Sequence, residues 1–299
     1  MNTQKIINPA QGNSIKGVLG ESELFVGLDP RAYHADVTVQ SCSLLKPILV
    51  SPAHYRAQFF SDRSSTKFMD FGTLIHALVL EPSTFGAGYA VFPGKTDKRS
   101  DEYKAFARAN VGRIVIDEVA FHIAKNLADR ILSRSYKGRP FGDYVKEGIP
   151  EASIYYTDPA TNVRCRARID LLHPEFTFDL KTTICAERTA WVRQASSLDY
   201  DMQAYMYCLC VSLFYGHTKP KPFVFIAGEN AAPYSVSAFT AGPTFIEEGG
   251  RKYQEALTAY AACSAVNHWP DASSEEIVEL EHWQVRHSSP AWRKSLATY

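Results

Sequence analysis

Apolar residues along the chain change their spacing partway, and the change predicts two kinds of element. Over 68–81, Phe71, Leu74, Ile75, Leu78 and Val79 recur at i, i+3, i+4, i+7 and i+8, one face of a helix that Glu81-Pro82 should end. Residues 117–133 repeat that amphipathic spacing behind Asp117, a candidate N-cap. Further on the period drops to two, predicting strands over 153–157, 163–172 and, after the turn at His173-Pro174, 176–181. Residues 199–215 are apolar nearly all round, as a helix buried against a sheet would be. Short strands are expected at 223–227 and 234–239, and a closing helix at 244–263. Upstream, 41–60 reads as short helices interrupted at Pro47 and Pro52, and 93–112 as a loop with a short surface helix.

This order predicts one mixed α/β (α+β) domain over 41–283, a helical N-terminal part packed on a central sheet. Residues 1–40 are polar and carry Gly12, Gly17, Gly20 and Asp29-Pro30, so a loosely ordered arm is expected there. Residues 284–299 are expected to form a peripheral polar tail.

The alternation also sorts side chains by face. In 163–172, Arg164, Arg166, Arg168 and Asp170 fall on one face, and Cys165, Ala167, Ile169 and Leu171 on the other. In 176–181, Thr177, Asp179 and Lys181 share a face, and Phe176, Phe178 and Leu180 point away. Burying the apolar sets together puts two carboxylates and an ammonium on one side of a short hairpin. Such carboxylates repel each other unless a cation sits between them. A hard divalent ion suits oxygen ligands, and magnesium takes one or two carboxylates plus phosphate and water. That chemistry points to phosphodiester hydrolysis, with Lys181 at the attacking water or the scissile phosphate.

Three further positions join this set. Gln203 and Tyr207 are four apart on one helix face and could reach the pocket from behind the sheet. His76 lies off the apolar stripe of its helix, over the small residues Gly72 and Thr73. Glu151, placed just before the strand at 153–157, is a possible further ligand for metal or water.

Composition narrows the picture only a little. The chain has 299 residues, 45% hydrophobic and 21% charged, ordinary values for a globular protein. With 32 basic and 32 acidic residues it cannot coat nucleic acid by global charge, although a local basic channel stays open. No apolar run is long enough to span a membrane, and the first residues lack a secretory layout, so a cytoplasmic protein is expected. The six cysteines show no zinc-ligand pairing and are expected to be reduced core thiols.

Taken together, Gly72-x3-His76, Glu151, Asp170, Asp179-x-Lys181 and Gln203-x3-Tyr207 resemble the RecB-type branch of the PD-(D/E)XK nuclease superfamily. More narrowly, SPAHYRAQF (51–59), GTLIHALVLEP (72–82), VRCRARIDLL (163–172), FDLKTT (178–183), QAYMY (203–207) and FVFIAGENAAPY (223–234) resemble the RecE-like (exonuclease VIII) phage recombination nucleases. The likeness runs from about Ser41 to Trp283. It implies a PD-(D/E)XK core, a central mixed β-sheet flanked by helices. It also implies metal ligation by His76, Asp170, Asp179 and the backbone carbonyl of Leu180. Glu151 would orient water or bind metal, Lys181 would act at the nucleophile, and Gln203 and Tyr207 would position the DNA backbone.

The implied activity is magnesium-dependent 5′-to-3′ digestion of one strand of linear double-stranded DNA, with manganese able to substitute. Relatives form rings and work beside a RecT-like single-strand annealing protein, which would place this chain in bacterial host cytoplasm if phage- or prophage-encoded. Where relatives often carry Lys-Gly-Arg before the motif aspartate, this chain has Arg166-Ala167-Arg168, which keeps the charge and adds bidentate phosphate contact. Only Cys263 lies where iron–sulfur members hold a cysteine cluster, so no cluster is expected. Arg56 and Arg63 precede the His76 helix and are candidates to grip a 5′ phosphate, with Arg164, Arg166 and Arg168 as further DNA contacts. The competing readings are a restriction-type endonuclease on the same core and a catalytically silent DNA-binding subunit.

Overall fold

The computed structural model describes residues 14–60, 67–94, 97–272 and 279. Arg63 and the tail at 284–299 lie outside the described residues. The strands are β1 (Ser14–Lys16), β2 (Glu23–Phe25), β3 (Tyr89–Phe92), β4 (Ile114–Asp117), β5 (Ser135–Tyr136) and β6 (Arg139–Pro140). They continue with β7 (Ile149–Thr157), β8 (Arg164–Leu172), β9 (Thr177–Thr183), β10 (Phe223–Glu229) and β11 (Val236–Thr240). The helices are α1 (Pro30–Ala35), α2 (Cys42–Leu45), α3 (Pro52–Ala57), α4 (Lys67–Leu80), α5 (Phe85–Gly88) and α6 (Asp101–Ala109). After them come α7 (Glu118–Ser133), α8 (Phe141–Glu147), α9 (Arg188–Ser197), α10 (Tyr200–Tyr215) and α11 (Pro243–Val266).

Seven strands form one mixed sheet in the order β1-β2-β7-β8-β9-β10-β11. Most neighbours run antiparallel, but β9 and β10 are parallel, so the chain must cross between them, and α9 and α10 supply the crossover. Strand β10 is buried on both sides. Phe223, Phe225 and Ala227 face one core with Met202, Met206, Tyr253 and Leu257 of α10 and α11. Val224 and Ile226 face the other, with Leu74, Ile75, Leu127 and Ile131 of α4 and α7. A fully apolar strand between two helical layers is what burial on both faces demands. Each fully buried Leu or Ile contributes about 1.5–3 kcal/mol. Helix α11 carries Gly249 in mid-helix, where a Cβ would meet the Asp201 carbonyl oxygen at 2.0 Å, so glycine lets α11 press onto α10.

The long elements keep their expected places. Helix α7 starts behind Asp117, whose Oδ1 accepts from Ala120 N at 2.7 Å. Other expectations change. The described part of the N-terminal arm is ordered: β1 and β2 extend the sheet, β2 pairing antiparallel with β7. Asp29-Pro30 is not a bare turn but the start of α1, Asp29 Oδ1 accepting from Arg31 N (2.6 Å) and Pro30 standing in the first helical turn. Phe25, Leu28 and Tyr33 of this segment form a small core of their own, with Tyr155 packed against it. The stretch read as a loop with a short surface helix, 93–112, carries that helix as α6, and a parallel strand pair that was not expected, β3 with β4, flanks it. Among the described residues no helix is long and apolar enough to cross a membrane.

Two corrections bear on the site. Glu151 lies inside β7, not before it. And the simple alternation along β8 breaks: Cys165, Ala167 and Ile169 pack with α10 and α11, whereas Leu171 packs in the opposite core with Phe178 and Leu180. The apolar sets of β8 and β9 therefore do not bury together as a whole. Both β7 and β8 switch faces between the pairs Ala152↔Ile169 and Pro150↔Leu171, where Glu151 adopts φ +50°.

Candidate active site

The switch of faces makes room for a cleft. Strands β8 and β9 pair only at Leu171↔Phe178 and Leu172↔Thr177, then diverge. At the first lost position the Asp170 carboxylate takes over from the ladder, its Oδ2 accepting from Leu180 N at 2.7 Å. Further up, Gln40 flanks β8 instead of β9, Gln40 N donating to Arg164 O and Arg166 N donating to Gln40 O. The fork between the strands opens onto a cleft of about 200 Å³ lined by residues of α1, α2, α4, β7, β8 and α10.

Three ligand-type side chains converge at this fork. His76, Glu151 and Asp170 each offer an atom within 4.8 Å of the other two. His76 Nδ1 stands 3.7 Å from Glu151 Oε1, and Nε2 stands 3.8 Å from Asp170 Oδ2 and 2.9 Å from the Leu180 carbonyl oxygen. Gly72, one turn earlier on α4, faces the same strand; a Cβ built there would stand in ordinary contact with Thr182 Oγ1 at 3.4 Å. Glu151 is held from behind by Arg168, whose Nε donates to Oε2 at 2.6 Å while Nη1 donates to Leu28 O. The left-handed backbone of Glu151 costs about 1–2 kcal/mol, and this clamp offsets it.

The electrostatics record the crowding. Burial, only partly offset by His76, and the nearby Asp179 charge push the Asp170 carboxyl up to about 7. Burial alone would depress the His76 imidazolium, but Asp170 and Glu151 outweigh it and raise its pKa to about 9. For Glu151, burial opposes ionisation, yet His76 and Arg168 together hold its carboxyl below the usual value. An acid kept from ionising beside a second acid and an imidazole is a donor set that a divalent cation would satisfy. The residues present therefore fit a divalent ion, two carboxylates supplying oxygen donors and His76 a nitrogen.

Asp179 and Lys181 sit one step deeper. Asp179 is fully buried and outside the three-residue cluster; Lys181 Nζ lies 2.6 Å from its Oδ2, and Gln203 Nε2 donates to Oδ1 at 2.8 Å. Oδ2 has the ammonium beside it but no hydrogen bond of good angle, so the Coulombic contact is what holds the pair. Burial works against the Lys181 ammonium, but Asp179 and Asp170 prevail and keep it charged well above the usual lysine range. The Tyr200 ring, 5.1 Å from Nζ, covers its other side.

The expected constellation thus gathers at one place: His76, Glu151, Asp170, Gln203 and Tyr207 line the cleft, with the Asp179–Lys181 pair tied to it through Gln203. The Leu180 carbonyl faces His76. The arginines divide. Arg166 and Arg168 line the cleft. Arg164 instead donates to Glu21 O and Thr157 Oγ1, and Arg56 lies over the Phe60 ring in a separate groove with Tyr55 and Trp269. Tyr33, Ser41 and Lys46 also line the cleft, and sequence reasoning passed them over. The available signal was Asp29-Pro30, which marks a helix start and would have ordered the segment carrying Tyr33.

Comparison with known proteins follows the same lines. The family described as a PDDEXK-like domain of unknown function (DUF3799) matches residues 41–281. The crystal structure of a candidate exonuclease from Eubacterium rectale has a TM-score of 0.53 to this chain at 13% identity, covering 88% of this chain and 94% of that one. At that identity the likeness is one of fold. A second solved structure, SSO0001, covers 72% of this chain and 84% of its own at 13% identity, with a TM-score of 0.28 that carries no argument. No curated protein matches the chain in sequence.

Proposed function

The chain belongs to the PDDEXK-like family, and from that premise we propose that it is a divalent-metal-dependent nuclease acting on the phosphodiester backbone of DNA. One observation carries the reading: His76, Glu151 and Asp170 converge at the strand fork beside the charged Lys181–Asp179 pair. A bound magnesium or manganese ion would polarise the scissile phosphate and make water nucleophilic near neutral pH. His76, Glu151 and Asp170 would hold that ion. Lys181 would place its ammonium against the attacking water or a phosphate oxygen, stabilising the charge that grows there. Asp179 orients Lys181, and Gln203 in turn fixes Asp179. Arg168 keeps Glu151 turned toward His76.

The finer proposal is an exonuclease that digests linear double-stranded DNA from 5′ to 3′. The sequence resemblance supports it, and the candidate exonuclease from Eubacterium rectale is in line with it. A ring-shaped oligomer and a single-strand annealing partner belong to the same proposal. The deciding assay incubates linear duplex, closed circular duplex and single strands with magnesium, using wild type and Lys181→Ala. Mononucleotides should appear from linear duplex alone, and Lys181→Ala should lower the rate at least ~100-fold. Cutting of the closed circle would instead identify an endonuclease. An inert wild type would leave a DNA-binding domain without catalysis.

A further inference from the structure

The cleft contains one cation too many. Arg168, Lys181 and His76 each face a carboxylate, and Lys46 Nζ donates to Leu198 O. Arg166 is different. Its side chain lines the cleft at 2% exposure, yet its Nε and Nη1 have no hydrogen-bond partner and no carboxylate pairs with it among the described residues. Its contacts are with two tyrosines: the guanidinium lies 4.6 Å from the Tyr33 ring centre, and the Tyr155 phenol shares a side-chain hydrogen bond with it.

Aromatic contact does not account for such a charge. A cation over a ring recovers less than the removal of an ion from water costs. Buried donors without acceptors add to that cost. An anion arriving from the cleft would meet the missing acceptors, and the Ser41 and Tyr207 side chains, which also line it, offer hydroxyl donors nearby. The space, about 200 Å³, corresponds to roughly seven water molecules, enough for a phosphate group but not for a base pair.

Resting on the nuclease reading, we propose that Arg166 is the receptor for a second phosphate group of the bound strand, distinct from the one under attack. Arg166 and Asp170 are four residues apart on β8, about 13 Å along an extended strand, so each addresses its own phosphate. Tyr33 of α1 is the other half of the receptor: its ring fixes the guanidinium plane, which can then present a planar fork to phosphate oxygens. The N-terminal segment, which precedes the family-matched residues 41–281, thereby supplies part of the substrate site.

The test uses the full chain in EDTA, so that no cleavage occurs, with wild type, Arg166→Met and Arg166→Lys. Sodium phosphate, against sodium chloride at equal ionic strength, should raise the melting temperature of wild type and leave Arg166→Met unmoved. Arg166→Met itself should melt no lower than wild type, since it removes an unpaired buried charge. Fluorescence anisotropy with linear duplex should show affinity ~10- to 100-fold weaker for Arg166→Met, and a smaller loss for Arg166→Lys. Duplexes with and without a terminal 5′ phosphate identify the source. If dephosphorylation matches the loss and does not add to it, the receptor takes a strand end; an equal loss on both duplexes assigns it an internal phosphodiester.

A wild type whose melting ignores phosphate overturns the proposal, whether or not the variants fold. So does an equal phosphate shift in wild type and Arg166→Met. So does Arg166→Met melting far below wild type with unchanged DNA affinity in its folded fraction. A wild type that cleaves DNA but ignores phosphate sinks only this inference, whereas phosphate binding without cleavage sinks the nuclease reading.

Discussion

Strand β8 borders two buried polar clusters, and they are built in opposite ways. Beyond its Cys165 end, Asp158 Oδ1 accepts from Ala160 N, Thr161 N and Thr161 Oγ1, and Oδ2 accepts from Tyr253 OH at 2.9 Å. Tyr253 OH in turn lies 3.1 Å from Tyr156 OH. Burial pushes both phenols far above their usual range, so they stay neutral donors, and the network closes on itself. At the Asp170 end, charges crowd, one carboxyl is kept from ionising, and Nε and Nη1 of Arg166 lack acceptors. The first cluster is finished without a ligand and serves the fold. The second is finished only by something that enters, and such unsatisfied buried charge marks a working site.

The contrast is sharpest at Asp170. Asp170→Asn is expected to lower DNA cleavage at least ~100-fold while leaving the protein folded. Stability against pH gives its second signature. Asp170 has a folded pKa near 7, above its ordinary 3.8, so its stabilising contribution is complete below about pH 4 and is lost as pH rises through 7. His76, raised from 6.5 to about 9, behaves the same way: its contribution is complete below about pH 6.5 and fades as pH passes 9. Metal-free wild type should therefore lose stability from about pH 4 to about pH 9 in urea melts, and Asp170→Asn should flatten the lower half of that slope. A wild type that gained stability over this range would contradict the crowded cluster.

The closed network should answer in stability and not in rate. Asp158→Ala strips acceptors from Tyr253 and from two backbone amides, and should cost about 1–3 kcal/mol in urea unfolding. Its cleavage rate per folded molecule should match wild type. A matching collapse of rate would mean that the two clusters are coupled through β8. Least is expected of Arg56→Ala, an exposed side chain over the Phe60 ring outside the cleft. Its stability should change by about 0.5 kcal/mol or less, and cleavage by about twofold or less. A tenfold loss there would extend the substrate path into the groove beside Trp269.

Local pattern made much of this legible. The i, i+3, i+4 repeat located α4, and Asp117 marked the start of α7, because helix periodicity and capping act within a few residues. The same is true of β10, whose unbroken apolar run matches burial on both faces. Glu151 and Leu171 were misplaced for the opposite reason. Alternation assumes a regular pleat, and the switch of faces at Glu151 comes from strand partners that diverge, which no local window contains. The arm was misread because α1 is short and its support, Tyr33 against Tyr155 and Arg166, comes from residues over a hundred positions away.

By itself the sequence determined the helices and strands of the central region, the mixed α/β class, and seven residues at one site. Those properties follow from side-chain periodicity and from the spacing of chemistry-bearing groups along single elements. Tertiary structure alone decided how the site is divided. It drew His76, Glu151 and Asp170 into one cluster, set Asp179 behind Lys181 and Gln203, and left Nε and Nη1 of the buried Arg166 without an acceptor. The fork between β8 and β9 and the docking of α1 set the distances and the burial on which ionisation and ion binding depend, and neither can be read from spacing in the chain.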